Sequence, residues 1–94
     1  MKTKEKIEYN HLSNTQIKVL RALLDKGKIT RVLEEDGYKY TWEDWEQNEN
    51  YLYPSTFHVL NENHLIEKYL SPTPYCDFYC ISAIGIGYLE QITN

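Results

Sequence analysis

The sequence predicts an α+β fold that is mainly helical, with a two-stranded β-hairpin near its C-terminal end. Its 94 residues are 41% hydrophobic, enough for one small core and too apolar for a disordered chain. We divide the chain into a basic N-terminal arm, residues 1–11, and one domain, residues 12–94. The prediction rests on a capped helical stretch, a proline-initiated helix and two β-type runs: Leu12–Gly27, Tyr53–Ile66, and Leu65–Leu70 with Phe78–Ser82.

The first helix is predicted over Leu12–Gly27. Ser13 followed by Gln16 matches a capping box, and Gly27 falls where a left-handed residue commonly ends a helix. Apolar residues at helical spacing form the inward stripe, namely Ile17, Leu20, Leu23 and Leu24. We therefore expect a core helix.

The segment Lys28–Tyr40 allows two interpretations. Thr30–Glu35 predicts a short second helix that ends at Asp36-Gly37. Alternatively, Asp36-Gly37 is the turn of a hairpin between Ile29–Leu33 and Tyr38–Trp42. We favour the helix.

A further short helix is predicted after this segment. Thr41 would cap it, Asp44 would stand at its third position, and it would run to about Asn48. The two tryptophans, Trp42 and Trp45, would lie on it.

The proline-initiated helix is predicted to be the centre of the domain. Pro54 suits a first helical position, where its missing N–H costs nothing. Phe57, Leu60 and His64 recur at i, i+3 and i+7 and mark the inward face. The outer face would carry Ser55, Thr56, His58, Val59, Asn61 and Glu62.

The last helix is predicted to begin at Ser82 as N-cap. It carries more apolar groups than one inward stripe can bury, and Gly85 and Gly87 would let a partner helix approach closely. We therefore expect a homodimer in which the N-terminal arm covers the same surface. The predicted interface residues are Ile7, Tyr9, Ile84, Ile86, Tyr88 and Ile92.

Two stretches resemble winged helix-turn-helix proteins, most closely the PadR- and MarR-like transcription regulators. One is Tyr53–Ile66, with Tyr-Pro, a helical leucine, a polar triplet and Leu-Ile. The other runs from Tyr79 to Glu90, where Tyr-Cys-Ile-Ser-Ala-Ile-Gly precedes Tyr-Leu-Glu. The resemblance implies a winged helix-turn-helix fold, binding to double-stranded DNA and a role in transcription regulation.

The resemblance also implies which residues contact DNA. The central helix would enter the major groove and the hairpin would form a wing. The residues expected at DNA are Ser55, Thr56, His58, Val59 and Asn61 on the helix, Thr73 and Tyr75 at the wing tip, and Lys2, Lys4 and Lys6 in the arm.

Charge is unevenly distributed along the chain. Residues 1–31 carry eight Lys/Arg against three acidic residues, a net charge of +5, whereas residues 32–94 carry two against eleven, a net charge of −9. The outer face of Pro54–Asn63 has no Lys or Arg, and Asp77 is placed at the wing tip. The alternative function is therefore a protein-interaction module that lacks DNA affinity and binds a protein partner through an acidic surface.

The sequence gives no sign of catalysis. It has no nucleophile–base or paired-carboxylate pattern and no phosphate loop, so we expect no enzyme, cofactor or metal. Cys76 and Cys80 lie on opposite sides of the predicted wing tip. They could form a disulfide only if the loop brings their Cα atoms within about 7 Å, whereas in a continuous strand they would lie roughly 13 Å apart, and the sequence leaves both possibilities open. No apolar run approaches the roughly 20 residues of a membrane span, so we expect a cytoplasmic protein.

Overall fold

The computed structural model describes residues 12–92, which form three helices and one five-stranded antiparallel sheet. The helices are α1 (Asn14–Leu24), α2 (Pro54–Glu62) and α3 (Ala83–Ile92). The strands are β1 (Lys28–Glu34), β2 (Gly37–Glu43), β3 (Glu49–Tyr51), β4 (Ile66–Thr73) and β5 (Cys76–Ile81).

The sheet consists of two hairpins placed side by side, with β3 added at one edge. Its strand order is β3-β2-β1-β5-β4, so β1 pairs with β2 in one hairpin and β5 with β4 in the other. The hairpins meet where β1 pairs with β5, for example at Ile29 opposite Tyr79. The three inner strands, β2, β1 and β5, therefore each have a hydrogen-bonded neighbour on both sides.

The core lies on one face of the sheet, beneath the helices. Tyr40, Tyr79 and Ile29 are buried on this face, and the ring of Phe57 from α2 stacks on Tyr40 at 4.5 Å and meets Tyr79 edge-on at 5.0 Å. Leu60 and the α1 residues Val19 and Leu20 are fully buried in the same cluster. The residues that alternate with these on β1 and β2 form a second face that no described helix covers.

The prediction of a mainly helical winged helix-turn-helix fold is wrong. Thr30–Glu35, predicted as the second helix, lies instead in β1 and the turn that follows it. The hairpin of β1 and β2 therefore separates α1 from the central helix, where a helix-turn-helix would have its second helix. The β-branched and aromatic residues of this segment suit a half-buried sheet. Its turn is Glu35-Asp36, since Glu34 pairs with Gly37, and Gly37 has a φ of 123°. The hairpin alternative was correct.

The predicted helix from Thr41 to Asn48 is also wrong. Thr41 and Trp42 belong to β2, and a short loop connects them to β3. The carboxylate of Asp44 holds this loop, because its Oδ1 accepts hydrogen bonds from the backbone N–H groups of Glu46 and Asn48, both at 3.0 Å. Asp44, which was predicted at the third position of a helix, therefore stabilises a turn instead.

The first helix and its capping box are confirmed. Of its predicted inward stripe, Leu20 and Leu23 are buried and Ile17 packs against the core, but Leu24 is 50% exposed. Ser13 Oγ accepts from the Gln16 N–H at 3.1 Å, while Gln16 Oε1 accepts from the Ser13 N–H at 2.9 Å. The left-handed residue at its end is Lys26, with a φ of 72°, and not Gly27. Gly27 is needed for a different reason: a Cβ there would lie 2.3 Å from the carbonyl oxygen of Glu43.

The central helix begins at Pro54 as predicted, but its inward face differs from the prediction. Phe57 and Leu60 are buried, and so is Thr56, which was assigned to the outer face. His64 is exposed and not inward, because it lies beyond the helix in the left-handed region at a φ of 61°. The N–H of His64 donates to the Asn61 carbonyl and that of Leu65 to the Leu60 carbonyl, the two bonds of a Schellman motif.

Replacing His64 by glycine is expected to raise the free energy of unfolding by roughly 1 kcal/mol, because glycine has no Cβ to oppose the left-handed conformation. Chemical denaturation measures the change. His64→Ala is the matched control: it removes the imidazole, keeps a Cβ and should bring no such gain. Equal stability of the two variants would show that the φ of His64 costs little.

The second hairpin pairs as predicted, with longer strands and a tighter turn. Thr73 pairs with Cys76, so the loop is Pro74-Tyr75 and not the whole of Ser71–Asp77. Pro72 lies inside β4, where it is tolerated because β4 is an edge strand with irregular pairing. Ser82 caps α3 as expected, its Oγ accepting from the Gly85 N–H at 3.0 Å.

Candidate interaction surface

The described residues offer a surface and not an enclosed site. Residues 12–92 form no pocket and contain no group of His, Cys, Asp and Glu placed to hold a metal ion. Within the same range, no helix combines the length and apolar character needed to span a membrane. Candidate functional residues must therefore be sought among exposed side chains.

Seven carboxylates lie in the first hairpin and the loop that follows it; we call them the acidic rim. Two of them have ion-pair partners: Glu34 with Lys39 at 3.3 Å and Glu43 with Lys28 at 3.6 Å. The other five have no ion pair within residues 12–92, and they are Glu35, Asp36, Asp44, Glu46 and Glu49. The rim is therefore a site of uncompensated negative charge.

The loop of the acidic rim is held in one conformation by its own hydrogen bonds. The pKa of Asp44 is lowered, mainly by the hydrogen bond from the backbone of Asn48. Asn48 also donates from its side chain to Asp44 Oδ2 at 3.3 Å, and Gln47 adopts a left-handed φ of 67°. The loop presents Trp45 with 61% of its surface exposed.

Two tyrosines next to the acidic rim are as exposed as this tryptophan. Tyr51 in β3 is 61% exposed and Tyr53, just before α2, is 63% exposed. Their rings meet edge-to-face with centroids 5.0 Å apart. Exposed aromatic side chains next to carboxylates are suited to contact a partner. Their surface is not buried in the core, and the faces of their rings attract cations.

A partly buried ion pair joins the two hairpins. Asp77 Oδ2 accepts from Arg31 Nη2 at 2.7 Å and from Arg31 Nε at 3.2 Å, and Asp77 Oδ1 accepts from Ser71 Oγ at 2.6 Å. The Arg31 guanidinium also lies over the ring of Tyr38, 4.3 Å from its centroid. Asp77 was predicted at the wing tip, but it belongs to β5 and its side chain is only 15% exposed. The pair fixes the alignment of β1 and β5.

Stability is expected to depend on the ionisation of Asp77. Hydrogen bonds from Ser71 and Arg31 lower its pKa. A lowered folded-state pKa contributes stability above the ordinary pKa of aspartate, and this contribution is lost as the pH falls through the folded-state value. Wild type should therefore lose more stability than Asp77→Asn when the pH is lowered from about 5 to about 2. Urea denaturation at each pH measures the difference.

The control for this comparison is Asp36→Asn in the exposed turn, which should keep the wild-type dependence on pH. Parallel curves for wild type and Asp77→Asn would mean that the ion pair adds no stability.

The central helix exposes only some of the residues predicted to contact DNA. Ser55, His58 and Asn61 are exposed, Val59 is partly buried, and Thr56 is buried with only 6% of its surface exposed. His58 lies against the rings of Tyr40 and Phe57, with centroids 6.1 and 5.6 Å away. The outer surface of α2 is therefore polar, carries no Lys or Arg, and is partly occupied by packing.

The other predicted DNA contacts lie apart from one another or outside the described range. Thr73 and Tyr75 are exposed around the turn of the second hairpin, where the Tyr75 N–H donates to Thr73 Oγ1 at 3.1 Å. Lys2, Lys4 and Lys6 lie outside the described residues. Exposed cations without an ion pair within residues 12–92 are instead found on and just after α1: Lys18, Arg21 and Lys26.

The predicted dimer residues do not form one apolar stripe. Tyr88 is 2% exposed and Ile92 packs against the core, so both serve the domain itself. Ile84 and Ile86 are exposed, but two residues apart on a helix they point in different directions. Ile7 and Tyr9 lie outside the described residues. Nothing in residues 12–92 supports a homodimer.

Cys76 and Cys80 are both free thiols. They lie four residues apart in the uninterrupted strand β5, which keeps them too far apart to bond to each other. Burial raises the pKa of the Cys80 thiol and makes it less reactive.

Several features of this surface could not be found in the sequence. Arg31 and Asp77 are 46 residues apart and nothing links them until the register of β1 and β5 is known. The acidic residues were evident, but they were placed on helices. Compared with known proteins, the chain matches no family model, no curated protein and no solved structure.

Proposed function

We propose that this chain is a protein-interaction module that binds a basic partner protein through the acidic rim. The observation that carries the proposal is the exposure of Trp45, Tyr51 and Tyr53, each above 60%, among carboxylates that have no ion-pair partner within residues 12–92. Exposed aromatic residues are enriched at protein interfaces, and their faces attract lysine and arginine. Unpaired carboxylates add electrostatic steering of a basic partner.

The experiment is an NMR titration of the isotopically labelled full chain with a peptide of alternating lysine and threonine. We expect amide shifts concentrated between residues 43 and 53, weakening as salt is added. A peptide of alternating glutamate and threonine is the control and should cause no shifts. Absence of shifts with the lysine peptide, or shifts confined to α1, would contradict the proposal.

A second candidate is binding to duplex DNA. It is favoured by the exposed Lys18, Arg21 and Lys26, which form no ion pair within residues 12–92, and by the three further lysines in the first six residues of the sequence. Phosphate contacts supply most non-specific affinity for DNA. Against it stands the excess of acidic residues on the rest of the domain.

If DNA is the partner, affinity for a labelled duplex should fall steeply between low and moderate salt, because each phosphate contact releases counterions. Lys18→Gln combined with Arg21→Gln should weaken binding, whereas Lys68→Gln, which removes a cation from the edge strand β4, should change it little. No binding at low salt would exclude this candidate.

A further inference from the structure

The two edges of the sheet differ in how well they are protected. An edge strand presents unpaired N–H and C=O groups, and proteins commonly protect such edges with bulges, proline or lysine. The β4 edge has all three: register shifts between Lys68 and Leu70 and between Leu70 and Thr73, Pro72 within the strand, and Lys68 itself. Another strand would fit poorly there.

The β3 edge has no bulge, proline or lysine, and its protection is limited to its length of three residues and the charge of Glu49. Its pairing with β2 is regular, with Thr41 opposite Tyr51, Trp42 opposite Asn50 and Glu43 opposite Glu49. All three of its residues are exposed, and none is proline or lysine. Within residues 12–92, no element besides β2 pairs with β3.

The register identifies which backbone groups of this edge point outward. The Leu52 N–H donates to the Tyr40 carbonyl at 3.0 Å. Because hydrogen-bonded and non-hydrogen-bonded pairs alternate in antiparallel strands, Asn50 and Leu52 point their backbone groups towards β2. The backbone N–H and C=O groups of Glu49 and Tyr51 therefore point away from the sheet, where a further strand would bond to them.

The side chains at this edge indicate what kind of strand would fit. Glu49 lies directly opposite Glu43, and like charges at opposite positions repel. Lys28 neutralises Glu43 but no described residue pairs with Glu49. Tyr51, two residues along the strand, lies on the same face, and its ring meets that of Tyr53. A lysine or arginine opposite Glu49 would relieve the repulsion, and a second one would lie beside the tyrosines.

We propose that the outer edge of β3 accepts an extended segment of the partner protein as a sixth strand, with lysine or arginine at alternate positions facing Glu49 and Tyr51. The inference rests on the proposed protein-binding function and specifies how the partner is held. Main-chain hydrogen bonds to β3 supply affinity, and the alternate basic side chains supply specificity, as in other cases of strand addition.

The experiment compares three peptides by calorimetry on the full chain. Each has about eight residues of alternating lysine and threonine; one is unmodified, one is N-methylated at every lysine and one at every threonine. An added strand turns one of these two sets of amides towards β3, so one methylated peptide should bind about tenfold more weakly, the loss expected for a few backbone hydrogen bonds. The other should bind like the unmodified peptide.

Two variants complete the test. Glu49→Gln should weaken binding of the unmodified peptide, whereas Glu67→Gln in β4, at the opposite edge of the sheet and outside the acidic rim, should leave it unchanged. Equal affinity of all three peptides, still reduced by Glu49→Gln, would overturn strand addition and leave the acidic-surface function standing. No binding of any peptide would contradict both. A free chain that sediments as a dimer, with the dimer dispersed by Tyr51→Pro, which removes one outward N–H, would assign the edge to a second copy and overturn the proposal.

Discussion

Replacing Leu60 by alanine is expected to lower the free energy of unfolding by about 2–5 kcal/mol, the usual cost of truncating a fully buried leucine. Leu60 has no exposed surface and belongs to the cluster that joins α2 to the sheet. The cavity would open next to Phe57, whose ring packs between Tyr40 and Tyr79. Thermal and urea denaturation of the two chains measure the loss.

Leu24→Ala is the matched control, because Leu24 also lies on a helix but is 50% exposed. It should cost well under half as much, since little buried surface is removed. Similar losses for the two variants would mean that α2 does not bury the face described here.

Replacing Gly85 by alanine is expected to destabilise the domain by about 1–3 kcal/mol, the range for inserting an atom into a well-packed site. A Cβ at this position would lie 2.3 Å from the carbonyl oxygen of Leu65. That carbonyl accepts a hydrogen bond from the Ser82 N–H at 2.9 Å, so it cannot move aside without breaking the bond. Chemical denaturation gives the size of the effect.

Gly87→Ala is the control in the same helix. A Cβ there meets nothing within 4 Å, so alanine should stabilise α3 by up to about 1 kcal/mol through its higher helix propensity. Opposite signs for the two substitutions are the expected result. A gain at Gly85 would show that α3 lies farther from Leu65 than the structure indicates.

The sequence was most informative where local chemistry decides the structure. The capping box of Ser13 and Gln16, the proline start of α2 and the Ser82 cap were all predicted correctly, because each involves residues close together in the chain. The second hairpin was placed for the same reason.

Predictions failed where long-range pairing decides the outcome. Lys28–Tyr40 has enough apolar residues for either a helix or a strand, and its choice depends on pairing with β5, about 45 residues away. The helix was preferred because of the expected fold, and that expectation placed the acidic residues on helices as well. Gly85 was assigned to a dimer surface. In the structure it allows α3 to lie close to the backbone of Leu65, a contact that no sequence pattern indicates.

The way β1 pairs with β5 also has a consequence for how the domain folds. Each hairpin forms from neighbouring residues, so both can close early at a small cost in chain entropy. Pairing Ile29 with Tyr79 instead closes one long loop that contains most of both hairpins and α2. The chain entropy lost in closing this loop opposes folding until the shared core forms and stabilises the structure. We therefore expect the meeting of the two hairpins to limit the folding rate, and Arg31 and Asp77 reach each other only when that meeting occurs in the correct register.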